Sequence, residues 1–308
     1  MLGPTATGKS TLAIELGLRH GGEIISCDST AVYRGFDIGT DKVPAGERRG
    51  VRHHLIDIVE PTDEYTAARF VRDAVAAIRD IYQRGRWPIL VGGTGLYYRA
   101  LVRGLFPGPA ADVTLRARLE AIAERRGVEF LHRMVAKVDS ESARRILPRD
   151  RKRLVRALEV YFLTGKPLTD HFADTVSPLG DFKTLAVALS LPLSEIAART
   201  AKRVDEQFER GLLDEIRGLL ARGVPETARP FGGLVYRQAL EHLHGVRDEA
   251  ETRALIAREN RHYARRQLIW FRKEPNLIWL QTSGEQPETK AAVESILATC
   301  ASPFPESS

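Results

Sequence analysis

Apolar residues recur along the chain with two periods, one typical of helices and one typical of buried strands. In residues 67–84, Phe70, Ala74, Ile78 and Ile81 share one side of an amphipathic helix. Short continuous apolar runs predict strands at residues 23–28, 53–61, 87–95, 182–191 and 276–280, the third of which ends in a glycine turn. Helical segments separate these runs. The order predicts an α/β fold with a parallel sheet flanked by helices on both faces.

The residue pattern of the chain changes after Pro-Gly-Pro at residues 107–109. Arginine-rich helical patterns without strand signals fill residues 109–181. We therefore predict an all-helical insertion at 109–181 within an α/β core formed by residues 1–108 and 182–308. Within that core, residues 194–272 and 290–299 have helical patterns, and a Ser/Pro-rich tail follows that we expect to be disordered.

A glycine-rich loop opens the chain, in the sequence MLGPTATGKST. Gly3, Gly8, Lys9 and Ser10 fit the pattern G-x-x-x-x-G-K-[ST], in which backbone N–H groups and a lysine bind phosphate oxygens. In this motif the hydroxyl of the last residue contacts Mg²⁺. Helix-forming residues follow directly, so the loop is predicted to end at a helix N-terminus, whose dipole favours an anion. The motif predicts a P-loop NTPase-like core and a polyphosphate ligand.

The strand that normally leads into such a loop is short here. Only Met1 and Leu2 precede Gly3. A gap inside a parallel sheet leaves backbone groups of the neighbouring strands unpaired, at about 1–3 kcal/mol for each group. We therefore expect that the natural protein carries further apolar residues upstream of this Met-Leu pair.

Composition narrows the class of protein. The 308 residues are 43% hydrophobic, include two cysteines (Cys27 and Cys300), and contain neither a secretory leader pattern nor an apolar run long enough to cross a bilayer. These features favour a cytoplasmic protein without a membrane role. The net charge of +6 is concentrated in residues 144–156 and 258–273, the second of which also carries aromatic residues. Such clusters favour a polyanionic partner, with a solvated helix face as the alternative.

Asp28 is the first candidate for chemistry beyond the loop. It ends the strand that follows the first helix, and in a parallel sheet that end faces the ligand cleft. The alternative is that Asp28 caps a following helix at residues 29–31. A guanine-reading N-K-x-D motif is absent from the sequence, which argues against a GTPase. The loop and Asp28 together still permit a small-molecule kinase or a diphosphate-using transferase.

Six longer motifs resemble one family closely: GPTATGKS, SCDSTAVYRGFDIGT, LVGGTGLYYRAL, RKRLVRALEVYFLTGKPLT, KRVDEQFERGLLDEI and NRHYARRQLIWFR. In order and spacing they resemble the bacterial tRNA dimethylallyltransferases, also called tRNA isopentenyltransferases, from Gly3 to about Leu280. The resemblance implies transfer of a dimethylallyl group from dimethylallyl diphosphate to N6 of the adenosine 3′-adjacent to the anticodon of tRNA. It also implies Mg²⁺ as cofactor, the tRNA anticodon stem-loop as partner, and a monomer.

The resemblance implies a role for each matched position. Asp28 matches the family's general base, Thr94 a threonine of the reaction channel, and Arg203 the diphosphate clamp. The diphosphate-binding positions are Gly3, Pro4, Thr5, Ala6, Thr7, Gly8, Lys9 and Ser10, with Ser10 also the metal ligand. The tRNA-binding positions are Asp28, Ser29, Thr30, Ala31, Thr94, Arg116, Lys152, Arg153, Leu154, Val155, Arg156, Tyr236, Arg237 and Gln238.

The chain departs from the family pattern at two positions. Val235 replaces a glycine, which puts the local backbone in doubt because valine rarely adopts positive φ. Arg149 replaces an asparagine, which we expect to add affinity for phosphate. Alternatives that remain are an adenylate-type isopentenyltransferase, against which the basic insertion argues, a P-loop kinase, and an RNA-binding module that uses nucleotide as a switch.

Overall fold

The structure is a computed structural model that describes residues 1–299. Cys300 and the Ser/Pro-rich tail lie outside the described residues. Contacts divide the chain into two units, Met1–Leu101 together with the chain from Asp181 onward, and Val102–Gly180. None of the helices in the described part of the chain is long and apolar enough to cross a membrane.

Strands and helices alternate in the first unit. Its strands are β1 (Gly22–Cys27), β2 (His53–His54), β3 (Trp87–Gly92), β4 (Ala186–Leu189) and β5 (Leu277–Leu280). Its helices are α1 (Lys9–His20), α2 (Ala67–Gln83), α3 (Gly95–Arg103, which runs into the second unit), α9 (Leu193–Glu209), α10 (Leu212–Ala221), α11 (Leu234–Leu243), α12 (Glu249–Phe271) and α13 (Pro287–Thr299). The second unit contains α4 (Val113–Arg126), α5 (Val128–Val138), α6 (Ser140–Arg145), α7 (Arg151–Thr164) and α8 (Leu168–His171).

The strands form two parallel sheets, ordered β2-β1-β3 and β4-β5. The first two residues connect them. The amine of Met1 donates to Leu90 O of β3 at 2.8 Å, and Leu2 N donates to Val187 O of β4 at 2.8 Å. Instead of the single predicted sheet, the structure thus has two sheets that are linked by hydrogen bonds of Met1 and Leu2. Leu2 does not form a strand, because it makes only one isolated bridge, with Ala188 of β4, before the chain turns at Gly3.

Local patterns predicted most elements correctly, with one clear exception. Helix α2 is confirmed, with its side chain-capped start at Thr66 and the predicted apolar face buried. The strand predicted at residues 53–61 is wrong beyond His54. Leu55 and Asp57 have φ of 60° and 56°, a left-handed conformation that ends an extended strand.

The second unit has a core of its own. Leu119 of α4, Leu131 of α5 and Leu158 of α7 are among the apolar side chains buried between its helices. Helices thus occupy most of the segment predicted to be helical. That this segment is an RNA-binding insertion stays a prediction.

Glu23 is a buried carboxylate within the strand β1. Its side chain is 3% exposed, and it accepts hydrogen bonds from Arg84, one of them at 2.8 Å, and lies 2.7 Å from His54 Nε2. The hydrogen bonds from Arg84, aided by His54, lower the pKa of Glu23 to about 2 against the burial that opposes them. The pair ties the start of β1 to the end of α2 and to β2.

We expect Glu23→Gln to lower the free energy of unfolding by about 2 kcal/mol at neutral pH, because it removes the charge from the buried acceptor of Arg84, which is left with Asp80 as its charged partner. The depressed pKa means that the stabilisation is present above the unfolded pKa of 4.5 and is lost as pH falls through the folded pKa of about 2. The difference between the two proteins in urea unfolding should therefore shrink over that range. Exposed Glu209→Gln is the control, and equal stability of Glu23→Gln and wild type at neutral pH would contradict the prediction.

Candidate active site

The glycine-rich loop spans residues 3–10 and ends at helix α1. Gly3, Ala6 and Gly8 all have positive φ, with values of 128°, 62° and 75°. Gly8 is the N-cap of α1 and has no side chain to cap it, so the first-turn amides of the helix stay open to a ligand. This arrangement suits a bound anion.

The side chain of Lys9 folds back over residues 4–7 of the loop. Its Nζ donates to Pro4 O and lies 3.5 Å from Thr7 Oγ1. Burial, and then the positive charge of Arg203, lower the pKa of Lys9 to about 7, with Asp28 opposing the shift. Because its present partners are uncharged oxygens, a phosphate oxygen would be a stronger acceptor for the ammonium group.

Arg203 reaches the same loop from helix α9. Its Nη1 donates to Thr5 Oγ1 at 3.0 Å and to Asp41 Oδ2 at 3.2 Å. Asp41 also accepts from Gln207 Nε2 at 3.0 Å, and burial raises the pKa of Asp41 despite the neighbouring Arg203. Asp41 was not identified from the sequence, where no spacing links it to a residue 162 positions away.

Asp28 follows β1 and caps a turn instead of the helix proposed as the alternative. Its Oδ1 accepts from Thr30 N at 2.8 Å, from Thr30 Oγ1 at 2.6 Å and from Ala31 N at 3.4 Å. Among the described residues, none donates a hydrogen bond to the other oxygen, Oδ2. One oxygen thus fixes the turn while the other is available for chemistry.

Thr94 lies beside this turn, at the end of β3. Its Oγ1 accepts from Ser29 N at 3.1 Å, and its own N–H donates to Cys27 O at 3.2 Å. The structure therefore brings Asp28, Ser29 and Thr94 together. Ser10 is exposed in the first turn of α1.

Gln267 of α12 is a site residue that sequence reasoning missed. Its Oε1 accepts from Thr5 N at 2.9 Å and its Nε2 donates to Gly93 O at 2.9 Å, so it spans the phosphate loop and the turn that carries Thr94. Its position in the helical repeat could have indicated burial, because Gln267 shares a helix face with the buried Ala264 and Phe271.

The predicted RNA-binding residues of α7 divide into three groups. The prediction that Leu154 and Val155 contact RNA is wrong for their side chains, because these are buried in the helical core and offer no surface to RNA. Lys152 and Arg153 are exposed. The third group, Arg156 with Arg116 of α4, binds a buried carboxylate.

That carboxylate belongs to Glu159, whose side chain is fully buried. Arg116 binds it through two hydrogen bonds of 2.8 and 2.9 Å, and Arg156 donates to it at 2.6 Å. Burial alone would raise the pKa of Glu159, but the hydrogen bonds from Arg116 and Arg156 outweigh it and leave the pKa below its usual value. Arg116 and Arg156 thus already serve the core of their unit.

The segment around Tyr236 is also mostly internal. Tyr236 is buried and donates to Glu215 Oε1 at 2.5 Å, and Gln238 is buried and accepts from Arg247 Nη2 at 2.6 Å. Arg237 is exposed and pairs with Glu259 at 3.1 Å. Of the predicted RNA contacts here, only Arg237 presents its side chain to solvent.

The two departures from the family pattern have simple structural outcomes. Val235 lies in the first turn of α11 and is absent from the residues with positive φ, so valine meets no backbone strain there. Arg149 is 89% exposed and pairs with Glu129 at 3.1 Å. Its added affinity for phosphate stays a prediction.

Comparisons with known proteins identify one family. A family model described as "IPP transferase" matches residues 31–274. A tRNA dimethylallyltransferase of Solibacter usitatus is 46% identical over 288 residues, covering 94% of each chain, and tRNA dimethylallyltransferase 1 of Trichlorobacter lovleyi is 46% identical over 297 residues, covering 96% of each.

The chain is also similar to solved structures of tRNA-modifying transferases. The full-length tRNA isopentenylpyrophosphate transferase of Bacillus halodurans has a TM-score of 0.70 at 36% identity and covers 96% of this chain and 94% of its own. A eukaryotic dimethylallyltransferase acting on tRNA has a TM-score of 0.78 at 29% identity, covering 96% of this chain and 76% of its own.

We expect Lys9 to react with acetic anhydride with a midpoint near pH 7, because burial and Arg203 lower its pKa to about 7. An ordinary lysine is protonated until about pH 10. Labelling between about pH 6 and pH 9, read by peptide mass spectrometry, measures the midpoint. The exposed Lys202 reports the reactivity of the reagent. A Lys9 midpoint above about pH 9 would contradict the assignment of its environment.

Proposed function

The chain belongs to the IPP transferase family, and we propose on that basis that it transfers a dimethylallyl group from dimethylallyl diphosphate to N6 of the adenosine 3′-adjacent to the anticodon in tRNA. The products are N6-isopentenyladenosine and diphosphate. The chain is thus an enzyme, a transferase that modifies tRNA. The observation that supports the detailed reaction best is the meeting of the phosphate loop and Arg203 with Asp28 and Thr94 in one site.

The loop side of the site suits the leaving group. When the carbon–oxygen bond of the donor breaks, negative charge grows on the departing diphosphate. The amides at the start of α1, the ammonium of Lys9 and the guanidinium of Arg203 all lie where they can stabilise that charge. Arg203 adds a planar group that can bind two phosphate oxygens at once.

The strand-end side suits the acceptor. As the adenine amine forms its bond to the allylic carbon, its N–H becomes acidic and needs a base. The free oxygen of Asp28 can take that proton, since the other oxygen is held by Thr30 and Ala31. Thr94 supports the turn that carries Asp28, because its hydroxyl oxygen accepts a hydrogen bond from Ser29 N.

The residues present fit a magnesium ion that is held mainly by the diphosphate. Ser10 is exposed at the start of α1, and no cluster of three metal-binding side chains occurs within residues 1–299. Magnesium often keeps few protein ligands and binds substrate phosphates. Ser10 would hold the ion through its hydroxyl, and the ion would supply positive charge against the diphosphate.

Exposed basic residues suit the tRNA. Lys152 and Arg153 on α7 are free of the buried carboxylate that holds their neighbours, and α12 carries exposed arginines at 261, 265 and 266. The target base is stacked in the anticodon loop and must turn outward to reach Asp28, which loop bases do at modest cost. We assign phosphate contacts to these exposed side chains.

Incubation with dimethylallyl diphosphate, Mg²⁺ and unmodified tRNA, followed by nucleoside analysis, tests the function. We expect N6-isopentenyladenosine next to the anticodon. Arms with AMP as acceptor, and with ATP in place of the donor, separate this reaction from an adenylate-type transferase and from a kinase. Absence of product from tRNA with all components present would overturn the proposal.

We expect Asp28→Asn to lose transfer by on the order of 10²-fold or more in kcat while tRNA affinity stays close to that of wild type, because an amide cannot accept the N6 proton. Single-turnover transfer and filter binding measure the two quantities. Near-normal turnover by this variant would remove Asp28 from the role of base.

We expect the double variant Lys152→Ala, Arg153→Ala to bind tRNA more weakly and with a shallower salt dependence. Each lost phosphate contact removes about one unit from the slope of log affinity against log salt. The variant Arg125→Ala, Lys137→Ala removes the same charge from exposed positions on α4 and α5 and is the control. Equal slopes for all three proteins would show that Lys152 and Arg153 form only a solvated face.

A further inference from the structure

Helix α12 docks closely on the turn that carries Thr94. A Cβ on Gly93 would overlap Nε2 of Gln267, and a Cβ on Gly95 would overlap the indole of Trp270. Only glycine permits this approach at either position. The turn on both sides of Thr94 is therefore seated on one face of α12.

Gln267 also reaches the phosphate loop from the same face. Its side chain is 7% exposed, and its amide presents one acceptor to Thr5 N–H and one donor to Gly93 O. A carboxylate can serve only the first partner and an ammonium only the second. The glutamine amide matches both, so it connects two segments that chain sequence separates widely.

The two partners of Gln267 each lead to a functional side chain. Thr5, which Gln267 holds by its N–H, accepts the hydrogen bond of Arg203 on its hydroxyl. Gly93, which Gln267 holds by its carbonyl, precedes Thr94, whose hydroxyl fixes the turn beside Asp28. The leaving-group side and the acceptor side of the site thus share one buried amide.

We infer that Gln267 is a positioning residue that holds the phosphate loop and the Thr94 turn in register, so that the diphosphate end of the donor and the attacking amine are aligned. This inference rests on the proposed function. Gln267 acts through Thr5 and Thr94 and contacts neither dimethylallyl diphosphate nor the target adenine. Misplacement of reacting groups by about 1 Å can cost about 100-fold in rate.

The test compares Gln267→Met, which keeps the length and removes both hydrogen bonds, with Gln267→Glu, which keeps the acceptor for Thr5 N–H. For Gln267→Met we expect kcat to fall about 10- to 100-fold and the Kd of inorganic diphosphate to rise, with tRNA affinity unchanged. For Gln267→Glu we expect the Kd of diphosphate to return towards that of wild type while kcat stays low. A uniform structural defect would not separate these two quantities.

Thr252→Val is the matched control, since it removes another buried hydrogen bond from α12, that of Thr252 Oγ1 to Asp248 O. It should lower Tm and leave kcat unchanged. Wild-type kcat in Gln267→Met, or the same kcat loss in Thr252→Val, would overturn the inference. If Gln267→Met does not fold, the inference stands or falls on whether Gln267→Glu combines a low kcat with near-normal diphosphate affinity. Failure of the proposed function is distinct, because wild type itself would then give no product.

Discussion

The parallel pairing of β1 with β3 is the constraint on which the site depends. Its register sets Cys27 opposite Gly92, so both strands end at the same height. Asp28 directly follows Cys27, and Thr94 follows Gly92 after one intervening residue, Gly93. The bonds from Thr94 N to Cys27 O and from Ser29 N to Thr94 Oγ1 extend the pairing beyond the strands. A shift of this register by one residue would reverse which side chains face the cleft.

Features set by neighbours in the sequence could be predicted, and features set by distant partners could not. The phosphate loop, the helix α2 and its buried face follow from spacing alone. The strand expected after His54 does not form, because apolar residues at 55–59 do not reveal the left-handed backbone of Leu55 and Asp57. Apolar content predicts burial better than it predicts extended conformation.

Charge counts also gave an incomplete account of the basic cluster on α7. Glu159 lies within the same helix, and its burial draws Arg156 of the cluster inward, together with Arg116 of α4, which the family match had assigned to tRNA. Leu154 and Val155 belong to the apolar phase of that helix, which the family match overlooked. The contacts of Asp41 and Gln267 join residues 162 and 262 positions apart, and only the folded chain brings them together.

The turn at Asp28 makes a symmetric group directional. A carboxylate on a free side chain offers two equivalent oxygens and rotates between them, whereas here Thr30 and Ala31 bind one oxygen and stop the rotation. Folding therefore meets the entropic cost of orienting this carboxylate, before any ligand arrives. The lone pairs of the other oxygen keep one direction, which the backbone of a short turn sets.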